Sequence, residues 1–232
     1  MSEHTYPIHE RFATWQGEGV HMGRKAFFIR TLGCPVKCPF CDSAGTWHPK
    51  WVPKEKNLMS VGQLMREVFD ADPQFIVVTG GEPAIWDLEP LCHAAAEAGY
   101  KIHIETSGGF ELRGSFNWIT VSPKRWKPLL ESCAGLADEF KVIVTEPKDI
   151  QFYIDMIDAA IGVRPLRKPI WLHPEWSQRN NHDVLDAICE AVGGKDARLR
   201  AGYQLHKLYK VDALDERTRQ LVPLGGDRKN GF

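Results

Sequence analysis

Phe75-Ile76-Val77-Val78-Thr79-Gly80-Gly81-Glu82-Pro83 is an apolar run that ends in a hydroxyl, two glycines and a carboxylate. A short apolar run bounded by glycine reads as a buried strand. The glycines permit a plain tight turn, or let the backbone approach a ligand closely. Similar strands are predicted at 26–31, 74–79, 101–105, 118–121, 139–144, 169–173 and, more weakly, 198–204. Helical patterns fall between them at 60–71, 87–98, 149–160 and 182–192. Ser60 suits an N-cap and Gly99 a helix stop. Alternation of this kind predicts an α/β fold with parallel strands. About six β-α units imply a partial TIM-like barrel, with its site at the C-terminal strand ends.

Polar groups gather where those ends are expected: Thr79, Glu105 with Thr106 and Ser107, Ser122 with Lys124, and His173. Polar side chains at the end of a buried strand are costly unless they face a ligand or one another. Segments 42–59 and 108–117 read as irregular, and 226–232 as a loose tail.

Apolar residues make up 43% and charged residues 25% of the 232, which excludes a disordered or collagen-like chain. No apolar run is long enough to cross a bilayer, so no membrane partner is expected. A net charge of −1 gives no pull toward nucleic acid. Met1-Ser2-Glu3-His4 lacks the basic and apolar regions of a secretory leader, so a cytoplasmic location is expected.

Three of the six cysteines, Cys34, Cys38 and Cys41, fall within eight residues. Such a triplet has two inorganic readings. His48 completes a Cys₃His zinc site, in a non-catalytic zinc protein. Alternatively, three thiolates hold an iron–sulfur cubane, which normally takes four, and leave one iron open. Cys92, Cys133 and Cys189 read as packing residues, Cys133 in an irregular stretch.

The triplet is similar to the cysteine motif of the radical S-adenosylmethionine (SAM) enzymes, and Thr79-Gly80-Gly81-Glu82-Pro83 to their glycine-rich motif. Further motifs resemble one family. Phe12-Ala13-Thr14-Trp15-Gln16-Gly17-Glu18-Gly19 is similar to its TxQGEG signature, and the stretch from Ala26 through Arg30 to Gly33-Cys34 to its FxRxxGC lead-in. Cys41-Asp42-Ser43 is similar to CDT, Ile104-Glu105-Thr106-Ser107-Gly108 to IETSG, Val121-Ser122-Pro123-Lys124 to VSPK, and Gln204-Leu205-His206-Lys207 to QxHK. On these motifs the chain is identified as a member of the 7-carboxy-7-deazaguanine synthase family, of the queuosine and deazapurine pathways.

The resemblance implies a lyase that contracts the ring of 6-carboxy-5,6,7,8-tetrahydropterin with loss of ammonia. A [4Fe–4S] cluster on Cys34, Cys38 and Cys41 binds SAM through its open iron and generates the radical, so no side chain is assigned as the catalyst. SAM is expected against Phe40, Gly80, Gly81, Glu82, Ser107, Ser122 and Lys124. The pterin is expected against Gln16, Gly17, Glu18, Arg30, Thr79, Glu105 and His206. Ser43 is expected on Mg²⁺, which prefers oxygen ligands. A homodimer and a reductant such as flavodoxin are implied as well.

One radical SAM domain over 1–232 is expected, with a cluster loop at 33–59 and a C-terminal extension from about 207 to 232. The chain departs from the family pattern at Ser43, at His173-Pro174 where relatives often carry glutamine-proline, and in that extension. The rival within the superfamily is a glycyl-radical-enzyme activating enzyme, which shares the triplet and the glycine-rich motif but acts on a protein. The QGEG, ETSG and VSPK motifs stand against it.

Overall fold

A computed structural model describes residues 4–162, 168–209 and Asp215. Its strands are β1 (Thr5–Trp15), β2 (Lys25–Thr31), β3 (Asn57–Ser60), β4 (Phe75–Gly80), β5 (Ile102–Thr106), β6 (Trp118–Val121), β7 (Glu139–Val144), β8 (Ile170–Pro174) and β9 (Leu199–Ala201). Its helices are α1 (Val61–Ala71), α2 (Glu89–Glu97), α3 (Glu131–Leu136), α4 (Asp149–Ile161), α5 (His182–Gly193) and α6 (Leu205–Tyr209). The strands form one sheet in the order β3-β1-β2-β4-β5-β6-β7-β8-β9. From β2 onward all neighbours are parallel, while β1 runs antiparallel to both β2 and β3. Among the described residues β3 and β9 do not pair, so the sheet stays open as a partial barrel of mostly parallel strands.

Strand periodicity explains the two sides of the sheet. On β2 and β4, Phe27, Ile29, Ile76 and Val78 face the main core beneath the helices. Their neighbours Ala26, Phe28, Phe75 and Val77 join Phe12 in a second cluster on the inner side. Continuing the inner register reaches Arg30 and Thr79 at the strand ends. The same parity puts Glu105 on β5, Lys141 on β7 and His173 on β8 inside the barrel. The apolar layers bury the strands, and the inner register delivers polar groups to one rim.

Expected helices and parallel strands recur within a few residues. Ser60 caps α1 through a reciprocal capping box with Gln63. Gly99 stops α2 at φ +79°. The strand expected at 198–204 shortens to β9, and His206 lies on α6. Strands β1 and β3 and helix α3 were not expected. Cys133 therefore lies on α3, buried, and Cys189 is exposed rather than packed. Of the C-terminal extension, 210–214 and 216–232 lie outside the described residues, as does the 226–232 tail. Among the described residues no helix is long and apolar enough to cross a membrane.

Candidate active site

The C-terminal ends of β2, β4, β5 and β6 open into one cavity of about 220 Å³. Every residue expected on cluster, SAM, Mg²⁺ or pterin lines it: Cys34, Cys38, Cys41, Phe40, Gly80, Gly81, Glu82, Ser107, Ser122, Lys124, Ser43, Gln16, Gly17, Glu18, Arg30, Thr79, Glu105 and His206.

At one side lies the cysteine loop, which follows β2. All three cysteines are free thiols. Burial pushes them up, Cys38 to about 11 and Cys41 to about 12. They are therefore protonated at neutral pH, and an iron centre taking them as ligands displaces those protons. Trp47 Nε1 donates to Cys41 Sγ over 3.4 Å, a contact of the kind that tunes a cluster's potential. His48 is engaged elsewhere: its Nδ1 accepts from Lys50 N at 3.2 Å and its ring packs on Trp51 at 4.4 Å. Phe40 stands edge-on to Trp126 at 5.8 Å, and Trp126 Nε1 donates to Val36 O.

The glycine-rich turn after β4 is tied to this loop through backbone. Gly81 N donates to Thr31 O at 3.1 Å and Glu82 N to Gly33 O at 2.9 Å. A β-carbon on Gly81 would collide with the Gly33 carbonyl, so only glycine permits this approach. The Glu82 carboxylate is turned toward the β5 end. It accepts from Thr106 Oγ1 (2.6 Å), Ser107 N (2.8 Å), Ser107 Oγ (2.5 Å) and Ala84 N (3.1 Å). Lys124 folds over the end of β6, with Nζ 2.5 Å from Ser122 O and 2.6 Å from Ser122 Oγ. Burial pulls its ammonium below the ordinary value.

The other side is built by the β1–β2 loop. Gln16 Nε2 donates to Glu105 Oε1 at 2.9 Å, and Glu18 pairs with Lys141 and with Gln204 Nε2. Burial raises Glu18, but Lys141, His173 and His206 outweigh it and hold the carboxyl well below the usual range. Segment 204–207 crosses from β9 to this loop, with Leu205 N donating to Gly17 O at 3.2 Å. A β-carbon on Gly17 would strike the His206 ring.

Arg30 joins the two sides. Its Nε lies 2.6 Å from Glu10 Oε1 and its Nη1 3.1 Å from Ser43 Oγ. Ser43 donates to Asp42, and Lys207 reaches Asp42 Oδ2 at 3.2 Å. Burial raises Asp42, but Lys207 and Arg30 hold it well below the usual carboxylate range.

Sequence reasoning did not assign Asp42, Lys141, Glu175, Trp176, Gln204 or Lys207 to the site, yet all line the cavity. Asp42, Gln204 and Lys207 lie inside motifs already singled out. Lys141 shares the inward parity of β7 with Glu139 and Ile143, opposite the core residues Phe140 and Val142. Its partners come from other elements, which sequence spacing does not supply. His103 shares the inward parity of Glu105 but packs on Phe75 at 4.2 Å, below the cavity.

Residues 28–142 match a family model described as the radical SAM superfamily. The chain is 40% identical over 209 residues to a 7-carboxy-7-deazaguanine synthase of Synechocystis, covering 89% of this chain and 94% of that one. It is 35% identical over 184 residues to the enzyme of the same name from Escherichia coli K12, covering 69% and 81%. The crystal structure of QueE from Escherichia coli superposes with a TM-score of 0.73 at 31% identity, covering 87% of this chain and 95% of that one.

Proposed function

Given that the chain belongs to the 7-carboxy-7-deazaguanine synthase family of radical SAM enzymes, we propose that it contracts 6-carboxy-5,6,7,8-tetrahydropterin to 7-carboxy-7-deazaguanine with loss of ammonia. The observation that carries the reading is the convergence of every residue expected on cluster, SAM, Mg²⁺ or pterin on one cavity whose two sides differ in chemistry. One side offers free thiols and close backbone, and the other offers paired carboxylates and amides.

Cys34, Cys38 and Cys41 fit a [4Fe–4S] cluster: three thiols share one cavity wall and no fourth cysteine lies in the loop. Such a cluster, loaded with SAM, would supply the radical chemistry that removes a hydrogen atom from the pterin. The protein's own contribution is placement and exclusion of water. Phe40 offers a face for the adenine. The backbone of Gly80, Gly81 and Glu82, with Ser107, Ser122 and Lys124, receives the polar groups of SAM. The Glu82 carboxylate keeps that rim in shape by holding Thr106 and Ser107.

Glu105 and Glu18 accept from the donor edge of the pterin, with Gln16, Gly17, Thr79 and His206 around it. Arg30 suits the substrate carboxylate. The oxygen set at Ser43 fits Mg²⁺: a hydroxyl beside the Asp42 carboxylate, with the Arg30 charge offset by Glu10. Substrate oxygens and water complete such a site. Ser43→Ala is expected to weaken apparent Mg²⁺ affinity by about 10- to 100-fold. An unchanged Mg²⁺ titration removes this assignment.

One domain over 1–232, a homodimer, a flavodoxin-like electron donor and a cytoplasmic location complete the proposal, all supported by the family resemblance. The test is deoxyadenosine release by the anaerobically reconstituted protein. Release triggered by the pterin without any protein partner supports the synthase. Release only with a protein substrate contradicts it.

A further inference from the structure

Lys141 lies on the inward face of β7, with its Nζ 2.5 Å from Glu18 Oε2 and 3.8 Å from Glu105 Oε2. Glu18 belongs to the β1–β2 loop and Glu105 to the end of β5, so one cation joins carboxylates from two separate elements. The second oxygen of each carboxylate is held by an amide, Gln204 Nε2 on Glu18 and Gln16 Nε2 on Glu105, both at 2.9 Å. The Lys141 side chain is 17% exposed, and Glu18 and Glu105 are 8% and 19% exposed. Two carboxylates this enclosed repel one another, and without a counter-ion one retains its proton. A protonated carboxyl presents an O–H where an acceptor is needed. The exocyclic amine and ring N–H of a pterin are donors and require acceptors.

We propose that Lys141 is the positioning residue of substrate recognition, its ammonium bridging Glu18 and Glu105 and fixing both as acceptors for the donor edge of a pterin-class ring. This rests on the substrate assignment above. The charged and titratable groups facing the trio come from the surrounding elements: Glu139 on β7 itself, His173 on β8, His206 on α6, Asp42 on the cysteine loop and Lys124 after β6. Burial pulls the Lys141 ammonium down, but Glu18 and Glu105 outweigh it and hold it above its ordinary value. His173 is pushed down to about 4 by burial, so it is neutral at neutral pH and cannot replace the lysine charge.

The test uses the full chain, anaerobically reconstituted and SAM-loaded, with 6-carboxytetrahydropterin binding measured by equilibrium dialysis from pH 5 to 8. Lys141→Met and Lys141→Gln are expected to weaken pterin binding on the order of a hundredfold. Iron per chain and SAM affinity stay at wild-type values. Lys141→Arg recovers most of the binding, because a guanidinium also bridges two carboxylates. Wild-type affinity stays flat with pH, whereas the neutral variants lose further affinity toward pH 5 as Glu18, without its lysine partner, takes up a proton. Neutral variants that bind pterin like wild type, with the same pH profile, overturn the inference. Parallel loss of iron and SAM binding also overturns it, since that marks a general structural role. If the Met variant fails to fold, the Gln and Arg pair decides by the same criteria. A wild type that ignores the pterin removes the substrate assignment and this inference together. A wild type that binds pterin alongside equally competent neutral variants removes the inference alone.

Discussion

A β-carbon on Gly81 would strike the carbonyl of Gly33, while one on Gly135 of α3 meets nothing within 4 Å. The two glycines therefore predict opposite outcomes. Gly81→Ala has to push the glycine-rich turn away from the cysteine loop, and overpacking of that kind costs about 1–3 kcal/mol. The expected result is a loss of SAM affinity of about 5- to 150-fold, read by binding to the reconstituted protein. Gly135→Ala should bind SAM normally and gain up to about 1 kcal/mol of stability. Equal SAM binding by both variants contradicts the close backbone contact. At this scale the motifs were highly legible, because the chemistry demands particular atoms at particular spacings. Cys34, Cys38 and Cys41 and the Thr79–Glu82 turn announce themselves by residue type. Lys141 did not, because its meaning lies in Glu18, 123 positions away along the chain.

At the scale of elements, the β1–β2 loop covers the N-terminal ends of β4, β5 and β6 with an aromatic cluster. His21 packs against Phe75 (5.5 Å), His103 (4.7 Å) and Trp118 (4.6 Å), and Arg24 Nη1 lies 2.7 Å from His21 Nδ1. Burial pushes His103 down to about 3, and lowers His21 as well. The native state refuses protons that the unfolded chain binds below the ordinary histidine value of about 6.5. Stability is thus present above that value and is lost as pH falls from about 6.5 toward 3, by about 1.4 kcal/mol per pH unit for one histidine. Denaturant unfolding from pH 7 to 4 should show this slope, and His103→Phe should reduce it. An identical slope in the variant contradicts the assignment. The sequence reading missed β1 because Thr5–Trp15 mixes His9, Glu10 and Arg11 into its apolar positions. Those charges are acceptable because Glu10 meets Arg30 and Arg11 meets Glu67. Helix α3 was missed because its six residues carry Ser132 and Gly135, and short helices draw their stability from tertiary packing more than from propensity.

Across the whole molecule, the alternation of apolar runs and helical patterns was sufficient for an α/β fold with parallel strands in a partial barrel. Its antiparallel flank of β3 and β1 was not legible from those signals. The flank matters because it brings the Gln16–Glu18 loop inside the barrel, where it meets β5 and β7. Segment 204–207 then crosses the open side from β9 and fastens both the Glu18 loop and Asp42. One half of the barrel thus carries the cysteine loop and the glycine-rich turn, and the other carries the carboxylates. The central claim is that these halves act on one pterin. It is tested most directly by reconstituting the chain with iron, sulfide, SAM, reductant and Mg²⁺, adding 6-carboxytetrahydropterin, and weighing the products by mass spectrometry. The account predicts a brown protein with about four irons per chain that yields 7-carboxy-7-deazaguanine and ammonia. A colourless zinc-bound protein, or a brown one that returns the pterin unchanged, contradicts it.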